Sequence, residues 1–148
     1  MGLDMWLFVE KYESKTDIEA DYPKGFYPKE VEPLGKKLFG RCHISITKRY
    51  LVGYWRNFYP LHRWFRKLFF NHSEGYLDPN ELKDLLSVLK YMKAHELTEY
   101  HGFDFKVDDE RYDKDYYLSC LNYTIDLFER VLRFTNKNAD YDIYYIGG

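Results

Sequence analysis

A chain of 148 residues lies in the usual range for one compact domain around one hydrophobic core, so residues 1–148 are expected to form a single domain. Its hydrophobic residues (45%) are enough to build a core and its charged residues (31%) enough to solvate a surface, which excludes a disordered chain. The net charge of −2 hides an uneven distribution: from Gly35 to Ser73 there is no Asp or Glu, while Lys36, Lys37, Arg41, Lys48, Arg49, Arg56, Arg63, Arg66 and Lys67 supply nine positive charges, leaving −11 for the remainder. A basic segment of this kind concentrates anions and speeds their capture, so it is the first place to look for a ligand.

The longest apolar runs, such as Met5 to Val9, fall far short of the roughly 20 residues that cross a bilayer, and no membrane segment is expected. The first residues lack the basic and long apolar regions of a secretion signal, and Trp6 stands where a myristoylation motif requires Ser or Thr. Cys42 and Cys120 are too few and too far apart for a disulfide framework or a CxxC metal site. The expectation is a soluble, cytoplasmic protein with reduced, packed cysteines.

Leu3 to Tyr12 alternates imperfectly and is rich in aromatics, which predicts a first strand. Glu13 to Gly40 contains Pro23, Gly25, Pro28, Pro33 and Gly35 among mixed charges and is expected to be a long loop. His43 to Thr47 alternates with β-branched residues and predicts a second strand paired with the first. Phe58, Leu61, Phe65, Leu68 and Phe69 then fall on one helical stripe, with Asn57 as the expected cap and Pro60 in the first turn.

The next helix is marked at its start by Asp78, Pro79 and Glu81, an N-cap, a first-turn proline and a capping-box acid, and its core face is Leu82, Leu85, Leu86, Leu89 and Met92. After Gly102, Phe103-Asp104-Phe105 predicts a short strand leading into the acidic run Asp108-Asp109-Glu110. Asp113 is expected to cap a third helix, with Asp115 near its positive end and Tyr117, Leu121, Thr124, Ile125, Phe128 and Leu132 buried. Tyr141 to Ile146 alternates again and predicts a closing strand. Strands and helices do not alternate as in a doubly wound fold, so the expected class is α+β, a largely antiparallel sheet with about three helices on one face.

The segment Val52-Gly53-Tyr54-Trp55-Arg56-Asn57, followed by His62, holds the most chemistry. Gly53 allows unusual backbone angles, Trp55 offers a stacking surface, Arg56 a planar cationic fork, and a helix start beyond them free N–H donors for an anion. The plainer interpretation is a buried Trp55 anchoring the helix, with Arg56 paired to a carboxylate. His62 is either a titratable donor near this segment or a residue at the core edge. Asp4, inside an apolar strand, is either buried with a donor such as Arg56, a tyrosine hydroxyl or a ligand amine, or lies on the solvent face beside Trp6. Asp113, Tyr116 and Tyr117 form a second cluster of acceptors and hydroxyls that capping and core packing also explain.

The phosphate-loop, dinucleotide, nucleophile-elbow and kinase signatures are absent, and the five histidines show no HxxxH or HExxH spacing, so neither a metal nor a cofactor is expected and a catalytic role lacks a positive signal. Cys42 and His43 are strand neighbours that point to opposite faces and make a poor nucleophile–base pair. Ten aromatics between Lys36 and Phe70 among the nine basic residues are the mixture that stacks bases and follows phosphates, and the slightly acidic whole favours a small nucleotide-like anion over a polymer.

Met1 to Met5, Val52 to Arg56 with His62 and Trp64-Phe65, and Gly102-Phe103 followed by Asp113, Tyr116 and Tyr117 together resemble a family of small phage and prophage proteins across most of the chain. Some members carry a glycolytic-kinase label that no motif of this sequence supports. The resemblance implies a phage accessory protein in the bacterial cytoplasm. Such proteins often counter host defence, by sequestering a nucleotide-derived signal or by binding a defence protein. Pro60 and the proline-containing segment before the second strand depart from the pattern, which puts the entrance to any shared pocket in doubt. Three functions therefore stay open: a noncatalytic binder of a small anionic, nucleotide-derived molecule, an inhibitor of a host defence protein, and a nucleotide- or phosphoester-processing enzyme using His62 with Asp4 or Asp113. Homo-oligomerisation is compatible with each.

Overall fold

The computed structural model describes residues 2–19, 41–106 and 112–148, and for 13–19 and 41–46 the backbone alone. The elements are β1 (Asp4–Glu19), β2 (Arg41–Arg56), α1 (Tyr59–Leu68), β3 (Glu74–Leu77), α2 (Pro79–Ala94), β4 (Glu99–Tyr100), β5 (Phe103–Asp104), α3 (Lys114–Lys137) and β6 (Tyr141–Gly147). Four strands form a mostly antiparallel sheet in the order β2-β1-β6-β3, and β4 pairs with β5 in a small sheet of its own. The fold is thus α+β, as the element order predicts. The chain divides into two compact units. One comprises residues 1–10 and 49–148 and holds the core described below. The other, Lys11–Lys48, contains the distal lengths of β1 and β2.

β1 is longer than its sequence pattern suggests, so Glu13 to Glu19 is strand and not loop, while 20–40 lie outside the described residues. The side chains of Cys42 and of His43 to Ile46, and the acidic run Asp108-Asp109-Glu110, lie outside them too. β2 continues to Arg56, so the Val52–Arg56 segment expected just ahead of a helix is itself strand. β3 and β4 are short and have no local signal. β3 exists because it pairs with β6, Tyr76 opposite Tyr144 and Leu77 opposite Ile143.

Alternation in β1 sends Leu3, Met5, Leu7 and Val9 into the core and leaves Asp4, Trp6 and Phe8 half-buried on the other face. Onto the inner face α1 brings Leu61 and Phe65, the latter with its ring 4.4 Å from that of Tyr145 in β6. α3 brings Leu127 and Phe128 against Trp55 and Gly53 of β2. α2 packs against α3 through the expected face, Leu82, Leu85, Leu86, Leu89 and Met92, all buried. Its Asp78 caps as expected, accepting the Asn80 N–H at 2.7 Å, and of the expected α3 face only Leu132 remains half-exposed.

Strand β2 does not alternate regularly. Arg49 lies over Phe8 and Tyr144, and Tyr54 meets Asp4, so both are on the outer face although five residues apart. Val52 lines a groove with Leu127 and Val131, and its neighbour Gly53 faces Leu127 as well. One extra residue at Val52–Gly53 therefore shifts the alternation, as in a β-bulge. A Cβ on Gly53 would stand 2.3 Å from Leu127 Cδ2, so the glycine is required by the close approach of α3 and not by unusual backbone angles.

Trp55 is 2% exposed; its indole N–H donates to Thr124 Oγ1 at 2.8 Å, and its ring meets Tyr123 and Phe128 edge-on. Trp55→Ala is expected to cost about 3–5 kcal/mol and Trp55→Phe clearly less, since the latter keeps most of the buried volume. Urea unfolding of the two variants beside the parent would check this ranking, and a Trp55→Ala protein as stable as the parent would contradict the packing.

Candidate functional site

The site begins with the turn that ends β2. Asn57 has a positive φ of 58°, a conformation Asn tolerates better than most residues. Its amide donates to the Leu3 carbonyl and its Oδ1 accepts the Leu3 N–H, both at 2.7 Å. Asn57 therefore clamps the end of β2 to the start of β1 and does not cap α1. The capping position belongs to Phe58, which makes no side-chain cap bond, and Pro60 falls in the first turn as expected.

With Trp55 turned inward, Tyr54 and Arg56 are turned outward. The Tyr54 hydroxyl donates to Asp4 Oδ1 at 2.5 Å, and its ring lies 6.1 Å from Trp6. Asp4 is thus half-buried beside Trp6 and holds a tyrosine donor, so both interpretations of this residue contain part of the arrangement. The bond to Asp4, with burial and the Asp4 charge behind it, raises the Tyr54 pKa, while Arg56 lowers it.

Tyr116, in the first turn of α3, donates its hydroxyl to the Arg56 carbonyl. Burial first, then its bond to the Cys120 thiol, pushes the Tyr116 pKa up to about 12, against a lowering by Arg56. Burial likewise raises the Cys120 pKa. Both groups are neutral near pH 7, so the positive charge of the cluster is the exposed Arg56. Its side chain crosses Gly2, where a Cβ would stand 3.3 Å from Nε and 3.0 Å from Asn57 Oδ1. Among the described residues no carboxylate forms an ion pair with it.

The structure therefore gathers Asp4, Tyr54, Arg56 and Tyr116, and separates the other expected site residues from them. Trp55 and Tyr117 are buried, Trp55 by the alternation of β2 and Tyr117 because it lies on the core stripe of α3 with Leu121, Thr124 and Phe128. Asp113 is exposed and caps α3, accepting the Tyr116 N–H at 3.0 Å. His62 Nδ1 lies 2.7 Å from the Tyr145 hydroxyl, close against Gly147, and bonds to neither Asp4 nor Asp113. The gathered residues line none of four grooves of about 290 to 580 Å³ along the helices, and of them Tyr54, Arg56 and Tyr116 are exposed.

Comparison with protein-family models, curated proteins and solved structures gives no match to this chain.

Sequence reasoning missed a second polar group on the outer face. Glu10 is 2% exposed, paired with the Arg49 guanidinium and accepting the Tyr76 hydroxyl at 2.8 Å. Arg49 is held between the rings of Phe8 and Tyr144. The parity that Glu10 shares with Asp4 was the available signal, but its partners lie 39 and 66 residues away.

Burial lowers the His62 pKa, as do the charges of Arg66 and Arg63 on the same helix, while β6 presents the neutral Tyr145. The folded value therefore lies below the unfolded value near 6.5. The stability contribution is complete above about pH 6.5 and is lost as pH falls through that value toward the folded pKa, because the unfolded state takes up the proton first. Chemical denaturation between about pH 5 and 8 should show this decline in the parent and a flatter profile in His62→Gln. Superimposable profiles would contradict the burial of the neutral ring.

Proposed function

We propose that this protein is a noncatalytic binder of a small anionic, nucleotide-derived molecule and that the ligand's anionic group sits on Arg56. The observation that carries this reading is the exposed guanidinium, lying over Gly2 without a carboxylate partner among the described residues, at the end of a strand whose Arg56 carbonyl accepts the Tyr116 hydroxyl. A planar fork of N–H donors favours phosphate or carboxylate, and the adjacent Trp6 and Tyr54 rings offer an apolar surface for a base. The resemblance to phage and prophage proteins extends the proposal: an accessory protein of a phage, acting in the bacterial cytoplasm by sequestering a nucleotide-derived defence signal. Neutral, hydrogen-bonded tyrosines and a histidine committed to Tyr145 support binding over turnover.

Arg56→Lys retains the charge and loses the fork. Calorimetry with mono-, di- and cyclic nucleotides should show affinity falling by about 1–3 kcal/mol in this variant, with unfolding unchanged because the side chain is exposed. Absence of heat across the whole panel, or a variant that binds like the parent, would end the proposal.

A further inference from the structure

Helix α1, helix α2 and the β4–β5 hairpin border a cleft of about 490 Å³, within the roughly 300–1,000 Å³ usual for small-molecule sites. Trp64 comes from α1, Asp84, Val88 and Tyr91 from one face of α2, and Tyr100 and His101 from the hairpin. The aromatic walls are fixed without a ligand. The Tyr91 ring stacks on Tyr100 at 4.3 Å and on His95 at 3.9 Å, and Trp64 leans on the buried Phe103 ring at 6.0 Å. His101 and Gly102 form the two-residue turn of the hairpin, with φ of 47° and 86°, and the turn sets the His101 ring edge-on to Tyr100 at 4.3 Å.

Charge decides what such a cleft takes. Asp84 is the one carboxylate that lines it, and no lysine or arginine does. The neighbours of Asp84 at helical spacing, Asn80, Glu81, Ser87 and Val88, include no cation, and among the described residues Asp84 forms no ion pair. Ser87 is turned to its own helix, donating to the Lys83 carbonyl at 3.1 Å. A carboxylate beside an indole and two phenol rings brings a negative charge and electron-rich ring faces to one place, the combination that attracts a cation, with tryptophan the strongest ring partner. We infer that this cleft binds an organic ammonium ion, its alkylated head against Trp64, Val88 and the Tyr91–Tyr100 stack and its charge toward Asp84. A bare ammonium is strongly hydrated, whereas alkyl groups give up water readily to an apolar floor. Hard metal ions need several oxygen ligands, and among the described residues no group of three His, Cys, Asp or Glu side chains could hold one. An anion would face Asp84, so this cleft is a different site from Arg56 and does not rest on anion binding there.

The test titrates the full chain with choline and with 3,3-dimethylbutan-1-ol, which has the same shape with a neutral carbon in place of the charged nitrogen, and follows both by NMR. Choline should bind at least about tenfold more tightly than the alcohol, with the largest shifts at the Trp64 indole, Val88, Tyr91, Tyr100 and His101. Asp84→Asn removes the charge at an exposed position and leaves the fold intact by circular dichroism. It should weaken choline by about tenfold and leave the alcohol unchanged. Trp64→Leu should weaken choline further, and Arg56→Lys should bind it as the parent does. No saturable shift with choline, equal binding of choline and the alcohol, shifts centred elsewhere, or choline binding that Asp84→Asn leaves intact would each overturn the inference.

Discussion

The burial of Trp55 decides what surrounds it. Its indole N–H reaches Thr124 on α3, whose hydroxyl in turn donates to the Cys120 carbonyl at 2.6 Å, so β2 and α3 are tied by a buried polar bond inside an apolar interface. Such a bond is costly to break because each partner would remain desolvated. Once Trp55 faces inward, alternation leaves Tyr54 and Arg56 no choice but the outer face, where they meet Asp4 and Gly2 at the start of β1. Asn57 completes the arrangement by ending β2 in a left-handed turn clamped to Leu3. The candidate site is a consequence of the core beneath it.

Tyrosine hydroxyls satisfy the carboxylates on the outer face of this sheet. Tyr54 bonds to Asp4, Tyr76 to Glu10, and Tyr144 to Glu74 at 2.9 Å, each ring lying on apolar neighbours while its hydroxyl satisfies a carboxylate on another strand. Glu10 also pairs with Arg49, whereas Asp4 and Glu74 form no ion pair among the described residues and rely on the phenol donor. Tyr116 and Tyr123 apply the same chemistry to the backbone of an edge strand, replacing the missing neighbour with hydroxyls from a helix.

What the sequence revealed follows from how local each signal is. The start of α2 is written within four residues, Asp78 to Glu81, and its face in five apolar positions, so it was legible in full. The extent of β2 was not, because Gly53 and Pro60 suggest a break that the bulge and the Asn57 clamp place elsewhere, and β3 depends on pairing with residues 66 to 72 positions away. At the site, the plainer interpretation of Trp55 as a buried anchor is the one the structure bears out, and the period-two rule that separates Cys42 from His43 gives the reason, while the carboxylate partner expected for Arg56 is not found among the described residues. The meeting of Asp4 with Tyr54 and of Arg56 with Tyr116 joins residues 50 and 60 apart, and no spacing in the chain encodes it. His62 was legible as a core-edge residue, but its Tyr145 partner was not.

The basic segment illustrates the difference between charge in a sequence and charge available to a ligand. Arg49 neutralises Glu10, Arg63 donates to the Asp104 carbonyl at 2.9 Å, and Arg66 donates to the Asn71 carbonyl at 3.2 Å. These guanidiniums serve as fixed donors for the protein's own oxygens, and their residual field is shared with solvent. Arg56 sits in the same run but follows an inward-facing tryptophan at the end of a strand, and Asp4 on the neighbouring strand accepts the Tyr54 hydroxyl. Arg56 forms no ion pair with a carboxylate among the described residues, and this partition, more than the count of basic residues, sets it apart from the other arginines of the segment.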